Sequence, residues 1–124
     1  MNRSRAAVVV FSAILAGLAV AFAVAPALAA NPNGVAVIIG NRDYPGAIPD
    51  VEFAANDAGA MREFVIEVLG FREGNVFELP DATLGHLIGM FGSEASPGGR
   101  LGRLVRTGET DVVVFYSGHG VPWP

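Results

Sequence analysis

The sequence predicts an α/β domain on a mostly parallel sheet, with strands and helices in the order β-α-β-α-β. Two segments, residues 34–40 and 112–116, are apolar without alternation, which is typical of strands covered on both faces. The segments between the strands carry helical periodicity and are long enough to cross over between parallel strands. Right-handed crossovers are therefore expected.

The N-terminus is predicted to be a secretory signal peptide over residues 1–29. Two arginines precede an apolar stretch, residues 6–25, and Ala27 and Ala29 have the small-residue spacing that a signal peptidase accepts. The alternative is an uncleaved membrane anchor, because the apolar run approaches the length that spans a bilayer. The alanine-rich composition and the cleavage site favour removal. We therefore expect an exported protein, periplasmic or extracellular, with no membrane contact after cleavage.

The remainder of the chain is acidic and contains no cysteine. Without Arg3 and Arg5, the chain has six arginines, no lysine and twelve carboxylates, which gives a net charge of −6. No basic cluster indicates a nucleic-acid partner. Export would permit disulfides, but none can form, so packing alone has to stabilise this small domain. No metal or other cofactor is expected.

The first half of this domain is predicted to be a strand, a loop and a long helix. The strand ends at Gly40-Asn41, and turn-forming residues follow it. Asp50 is positioned to cap the helix, and Gly70 to end it. The apolar face of the helix is predicted from three- and four-residue spacing; its members are Ala54, Ala58, Met61, Val65, Val68 and Leu69.

The second half is predicted to hold two strands and two more helices. Their expected bounds are a strand at 75–79 ended by Pro80, a helix over 81–91, a loop over 92–99, a short helix at 101–105, and a turn at 107–110 before the last strand. A three-stranded sheet has open edges that nothing in the sequence covers. We therefore expect the first part of a larger fold, present either as a truncated gene product or as a fragment.

The last strand ends on Ser117-Gly118-His119-Gly120. Ligands of open α/β sheets bind just beyond the carboxyl ends of the strands, the edge that Gly40-Asn41 also reaches. A histidine there is suited to proton transfer near neutral pH. The N–H of Gly120 can donate a hydrogen bond to an oxyanion.

The residues give less support to a serine hydrolase, a zinc site or a nucleotide-binding loop. Ser117 lies two residues before His119, but a serine hydrolase needs an acid that orients the histidine. A zinc site would need partners that His86 lacks, and His86 is expected to be a solvated helix residue. The glycines complete no nucleotide-binding loop. Asp57, early in the first helix, has a simple interpretation as a charge favourable to the helix dipole.

Five segments, in order and at compatible spacing, form a larger pattern. They are Val37-Ile38-Ile39-Gly40-Asn41-x-x-Tyr44, Ala55-Asn56-Asp57-Ala58-x-x-Met61, Leu69-Gly70-Phe71, Asp81-Ala82-Thr83 and Val114-Phe115-Tyr116-Ser117-Gly118-His119-Gly120. Together they resemble bacterial caspase-like peptidases, close to metacaspases. The resemblance implies a three-layer caspase–hemoglobinase-like fold over residues 34–124, incomplete at its C-terminus.

The resemblance also implies an activity and a set of roles. It implies a cysteine endopeptidase acting on peptides or proteins, with His119 as the catalytic histidine and Gly120 as the oxyanion donor. Asp57 and Ser117 match the residues that metacaspases place in the S1 pocket, which implies cleavage after arginine or lysine. The charge agrees, because a carboxylate pairs with a guanidinium or ammonium group.

The sequence departs from this family in one large respect. The nucleophilic cysteine is expected about 50 residues beyond the histidine, whereas the chain holds no cysteine. Alone it is therefore expected to be inactive, and a missing segment or second chain would carry the cysteine. The alternative is a non-catalytic caspase-like module that binds peptides or proteins without cleaving them. A degraded remnant would instead fail to unfold cooperatively.

Overall fold

A three-stranded parallel sheet lies between helices in residues 30–120, the part of the chain that the computed structural model describes. The strands of this sheet are β1 (Val35–Gly40), β2 (Val76–Pro80) and β5 (Val112–Ser117), in the order β2-β1-β5. The remaining elements are α1 (Ala54–Glu63) with a π-helical turn (Phe64–Val68), a 3₁₀ turn (Glu73–Asn75), α2 (Leu84–Phe91), α3 (Gly99–Leu104), and a small antiparallel pair, β3 (Gly92–Ser93) and β4 (Ser96–Pro97). The predicted α/β class and parallel sheet are confirmed.

Strand β1 is the centre of the sheet and of the apolar core. All six of its residues are buried, as predicted from the unbroken apolar run. Because side chains alternate along a strand, Ala36 and Ile38 face α1, whereas Val37 and Ile39 face α2 and α3. One strand thus supplies both apolar layers. The α1 side also holds Val65 and Phe71, and the other side holds Met90.

Strand β5 is an edge strand, and the prediction that it is buried on both faces is wrong. Val113 and Phe115 pack against the core on the α1 side. The alternate residues Val112, Val114 and Tyr116 are 40%, 53% and 48% exposed. An apolar run shows that a strand suits a covered position, but not whether its neighbours cover it.

Helix α1 departs from the prediction at both ends. Its N-cap is Phe53 without a side-chain bond, so the predicted Asp50 cap is wrong; Asp50 instead accepts a hydrogen bond from the N–H of Tyr44 at 3.1 Å. At the other end the chain widens into the π-helical turn, which rotates Val68 out of the predicted apolar face to 43% exposure. Gly70 follows with a φ of +72°, as its predicted terminating role requires.

The second half of the domain differs from the prediction mainly in its loop. Residues 92–99, predicted to be irregular, contain the β3–β4 pair, and α3 begins at Gly99, two residues early. Helix α2 begins after Thr83, whose hydroxyl accepts from the N–H of His86, while His86 Nδ1 accepts from the N–H of Thr83. His86 is exposed, as predicted, and it also caps its helix.

The predicted signal peptide lies outside the described residues, as does its alternative, a membrane anchor. Within residues 30–120, no helix has the length and apolar character needed to cross a bilayer.

Candidate active site

The loops that follow β1 and β5 leave the sheet side by side. Gly40 and Ser117 are register partners at the carboxyl ends of these parallel strands. The N–H of Asn41 donates to the carbonyl of Ser117 at 2.8 Å, which carries the pairing one residue further. The residues after both strands therefore share one edge of the sheet, as predicted for Asn41 and His119.

Asp57 and Ser117 lie in direct contact. The hydroxyl of Ser117, at the end of β5, donates to Oδ2 of Asp57 at 2.9 Å, although 60 positions separate them in sequence. Asp57 is exposed and lies in the first turn of α1. Among the described residues, no arginine forms an ion pair with Asp57.

A glycine explains how α1 comes close enough to place Asp57 there. A methyl group built on Gly40 would lie 2.9 Å from both the carbonyl oxygen of Ala54 and the Cβ of Ala58. Real Cβ atoms do not approach backbone and side chain together at this distance, since interiors are already close-packed. Gly40 and the alanines therefore allow the first turn of α1 to pack directly on the end of β1.

The imidazole of His119 has its orientation fixed by a backbone carbonyl. His119 is exposed, and its Nε2 lies 2.7 Å from the carbonyl oxygen of Pro49. A carbonyl oxygen only accepts, so Nε2 has to carry the hydrogen in this contact. In the neutral ring, Nδ1 then keeps its lone pair and is free to accept a proton.

Two tyrosines surround the His119 backbone. The N–H of His119 donates to the hydroxyl of Tyr44 at 2.8 Å, and the hydroxyl of Tyr116 donates to the carbonyl of His119 at 2.7 Å. The two hydroxyl oxygens lie 3.3 Å apart. The close contact with the Tyr44 hydroxyl, and then burial, raise the pKa of Tyr116. The ring of Tyr44 also lies against the imidazole, with centroids 4.7 Å apart and planes tilted by 60°.

A second set of polar contacts ties the loop after β1 to the end of β2. The carboxylate of Asp81 accepts from the N–H groups of Asp43 and Arg42, at 2.9 and 2.8 Å. These two bonds lower the pKa of Asp81. The side-chain oxygen of Asn41 accepts from the N–H of Ala82 at 2.8 Å. The loop that carries Tyr44 and Pro49 is therefore anchored at its start.

A largely apolar pocket of about 560 Å³ opens beside the imidazole. Its lining residues are Tyr44, Ala47, Ile48, Pro49, His119 and Gly120. Ile48 is 50% exposed, so this wall of the pocket is open to solvent. The pocket therefore offers apolar space next to the imidazole ring.

One comparison with known proteins identifies the family of this domain. A family model for the caspase domain, a peptidase domain, matches residues 33–123, which is well over half of the chain. The chain belongs to the caspase-domain peptidase family. No curated protein and no solved structure matches it. The parallel sheet flanked by helices is accordingly part of a caspase-like fold, as the resemblance of the sequence segments implied.

Within this caspase domain, Ser117 ends β5, His119 and Gly120 follow it, and Asp57 reaches Ser117 from the first turn of α1. Asp57 and Ser117 are hydrogen-bonded to each other. His119 and Gly120 line the apolar pocket, whereas Asp57 and Ser117 are not among its lining residues. Ser117 and His119 do not pair: within residues 30–120 the Ser117 hydroxyl is bonded to Asp57, and His119 Nε2 to Pro49. The geometry therefore gives no support to a serine nucleophile activated by His119.

Sequence reasoning missed three contributors to this site: the Pro49 carbonyl, the Tyr44 hydroxyl and the Tyr116 hydroxyl. Tyr44 and Tyr116 stood in the segments that carried the family resemblance, but without a role. A proline three residues after a Pro-Gly turn gives no signal that its carbonyl will orient a histidine 70 positions later. As for metals, residues 30–120 hold no group of three or more metal-ligating side chains.

Proposed function

We propose that this caspase domain is the histidine-bearing part of an exported cysteine endopeptidase, with His119 as its general base and acid. The observation that supports this role is the contact of His119 Nε2 with the Pro49 carbonyl. It leaves Nδ1 as the acceptor, at an exposed position beside a pocket. That is the state a general base has to be in before it takes a proton.

In this proposal the proton moves through His119 twice. Nδ1 accepts the proton of a cysteine thiol, and the thiolate attacks the peptide carbonyl carbon. The N–H of Gly120, which no described residue occupies with a hydrogen bond, donates to the oxyanion that forms. The imidazolium then gives the proton to the leaving amine. The 124 residues contain no cysteine, so the thiol has to come from outside them.

Asp57 and Ser117 are proposed to select arginine or lysine before the scissile bond. Ser117 donates to only one carboxylate oxygen of Asp57, and a carboxylate accepts several bonds. The remaining capacity suits a guanidinium, which binds carboxylates through two parallel N–H groups. No arginine within residues 30–120 pairs with Asp57.

The catalytic role is tested in the protein translated with the codons that follow Pro124. The proposal expects a cysteine within roughly 100 residues, and cleavage of an arginine-containing peptide. His119→Ala should lower kcat by about 10² to 10⁴-fold, while His86→Ala, the matched histidine control, should leave kcat unchanged. Continuation without a cysteine, or full activity in His119→Ala, would refute the role.

The specificity role is tested by binding to the 124-residue chain. An arginine peptide should bind, a matched norleucine peptide should bind at least tenfold more weakly, and Asp57→Asn should remove the difference. Glu52→Gln, an exposed carboxylate near the start of α1, serves as the control. If Asp57→Asn binds both peptides as the unchanged chain does, the pocket assignment is wrong.

The second candidate function is a caspase-like module that binds arginine peptides without cleaving them. The absence of cysteine from the 124 residues favours it, and the Asp57–Ser117 pair does not depend on a nucleophile. Binding of the arginine peptide, with no cleavage by the protein extended through its downstream codons, would support this function over the first.

A further inference from the structure

We propose that Tyr44 and Tyr116 are positioning residues that close a ring of hydrogen bonds around His119 and thereby hold both its imidazole and the N–H of Gly120 in place. The inference deepens the proposed function, since it rests on His119 and Gly120 as the proton-transfer residue and the oxyanion donor. The ring itself stands on contacts that do not involve a cysteine or a substrate.

The direction of each hydrogen bond follows from what its groups can donate. The His119 carbonyl can only accept, so the single hydroxyl hydrogen of Tyr116 is used there. The Tyr44 hydroxyl oxygen accepts from the His119 N–H. Tyr44 then has its own hydrogen to give to Tyr116 across 3.3 Å. The chain of donors runs from the His119 N–H through Tyr44 and Tyr116 back to the His119 carbonyl.

A closed ring of this kind couples its members, because each hydrogen bond polarises the next. Loss of either hydroxyl therefore weakens the contact that remains. Two independent tyrosines would behave differently, since each would affect only the backbone group it touches.

Gly118 is the residue that makes room for the ring. A methyl group built on it would lie 2.6 Å from the Tyr44 hydroxyl and 2.7 Å from the Tyr116 hydroxyl. Both hydroxyl groups thus occupy the space where any other residue would carry its Cβ. The glycine before the histidine is explained by a close approach of side chains.

The carbonyl of His119 belongs to the same planar peptide unit as the N–H of Gly120. In a trans peptide the N–H points opposite to the C=O. Tyr116, by fixing the carbonyl, therefore also fixes the direction of the Gly120 N–H. Tyr44 acts on the other side of the residue, where its ring lies against the imidazole, and it shares a loop with Pro49, which accepts from Nε2.

The experiment uses the 124-residue chain, labelled with ¹⁵N, and the variants Tyr44→Phe and Tyr116→Phe, which keep the aromatic rings. We expect the His119 amide to exchange with solvent about five- to tenfold faster in each variant. We also expect a lower heteronuclear NOE at the Gly120 amide in both. The imidazole ¹⁵N shifts should change from the Nε2–H form to a mixture of tautomers. His86, the other histidine, is the internal reference for folding.

The ring is refuted if either variant leaves His119 exchange, the Gly120 NOE and the tautomer unchanged, or if each variant alters only the group it touches. Should Tyr44→Phe fail to fold, as His86 would report, Tyr116→Phe carries the same test through the carbonyl. These readouts require no cysteine or cleavage. If the variants change these readouts as expected but the protein translated with the downstream codons is inactive, only the peptidase proposal is refuted. If that longer protein is active but the variants leave the readouts unchanged, only the ring is refuted.

Discussion

At the scale of single residues, Pro49 acts through its backbone. Its carbonyl contacts Nε2 of His119, whereas in triads of the serine-protease kind a carboxylate contacts Nδ1; in both cases the contact selects the tautomer and orientation of the histidine. Being neutral, the carbonyl orients the ring without adding a charge beside it. The orientation of His119 therefore depends on the path of the loop that carries Pro49. The contacts of Asn41 and Asp81 that anchor this loop matter as much as Pro49 itself.

Gly118→Ala is expected to destabilise the domain. Gly118→Ala places a methyl group on the two tyrosine hydroxyls and should lower the free energy of unfolding by about 1–3 kcal/mol. Gly120→Ala is the matched control, because a methyl group there meets no described residue within 4 Å; its effect should stay within about 0.5 kcal/mol. Urea denaturation measures both. Equal stability of the two variants would contradict the close approach.

Asp81 is expected to make stability depend on acid pH. Its pKa is lowered from the usual 3.8 by the N–H groups of Asp43 and Arg42. The stabilisation is therefore present above that value and is lost as pH falls through the folded-state pKa. Asp81→Asn keeps an acceptor and suits the φ of +44°, but does not titrate.

In acid, below about pH 4, the thermal midpoint should consequently fall less steeply in Asp81→Asn than in the unchanged chain. Glu94→Gln, on the turn between β3 and β4, is the control and should follow the unchanged chain. If the thermal midpoint of Asp81→Asn depends on pH as that of the unchanged chain does, the carboxylate does not anchor the loop through its charge.

At the scale of elements, the position of α1 decides whether the two halves of the site meet. Asp57 reaches Ser117 only because the first turn of α1 packs on the end of β1 without an intervening side chain. Small residues on both surfaces, Gly40, Ala54 and Ala58, are the cause. The contact between Asp57 and Ser117 thus depends on the distance between α1 and β1.

Gly40→Ala and Gly59→Ala are expected to have opposite effects on stability. The first adds a methyl group 2.9 Å from Ala54 O and Ala58 Cβ, which should cost about 1–3 kcal/mol. The second removes a flexible residue from within α1, where a methyl group meets nothing, and should add about 0.5–1 kcal/mol. Denaturant titration gives both values. A stabilising Gly40→Ala would show that α1 is not in close contact with β1.

At the scale of the whole molecule, β1 couples the two apolar layers. Each layer takes two side chains from this strand, so neither can lose its packing without moving the other. We therefore expect the folded part to unfold in one cooperative transition, as small single domains usually do.

Val37 and Val114 test the difference in burial between β1 and β5, since they are register partners on these adjacent strands. Val37 is fully buried, whereas Val114 is 53% exposed. Val37→Ala should cost about 2 kcal/mol or more, through lost burial and a cavity, and Val114→Ala well under about 1 kcal/mol. Similar losses at both positions would mean that β5 is covered in solution.

The same contrast shows how far the sequence predicts the fold and the site. The unbroken apolar run predicts β1 correctly, and Gly70 predicts the end of the first helix. A run of valines does not reveal whether a partner covers it, so β5 was placed too deep. At the site, the rule that ligands bind at the carboxyl ends of parallel strands correctly predicted that the end of β1 and His119 share one edge of the sheet. The Tyr44 hydroxyl escaped notice, because a contact between side chain and backbone across 75 positions leaves no local pattern.

The tyrosine pair also supplies the domain with a spectroscopic probe of its own. The chain has two tyrosines, so every phenolate signal in an alkaline ultraviolet titration originates beside His119. Since the contact with Tyr44 raises the pKa of Tyr116, the folded state favours the neutral phenol; the associated stabilisation is complete below about pH 10 and disappears as pH rises through the folded-state pKa. Absorbance alone can thus follow the condition of the site, without any label or substrate.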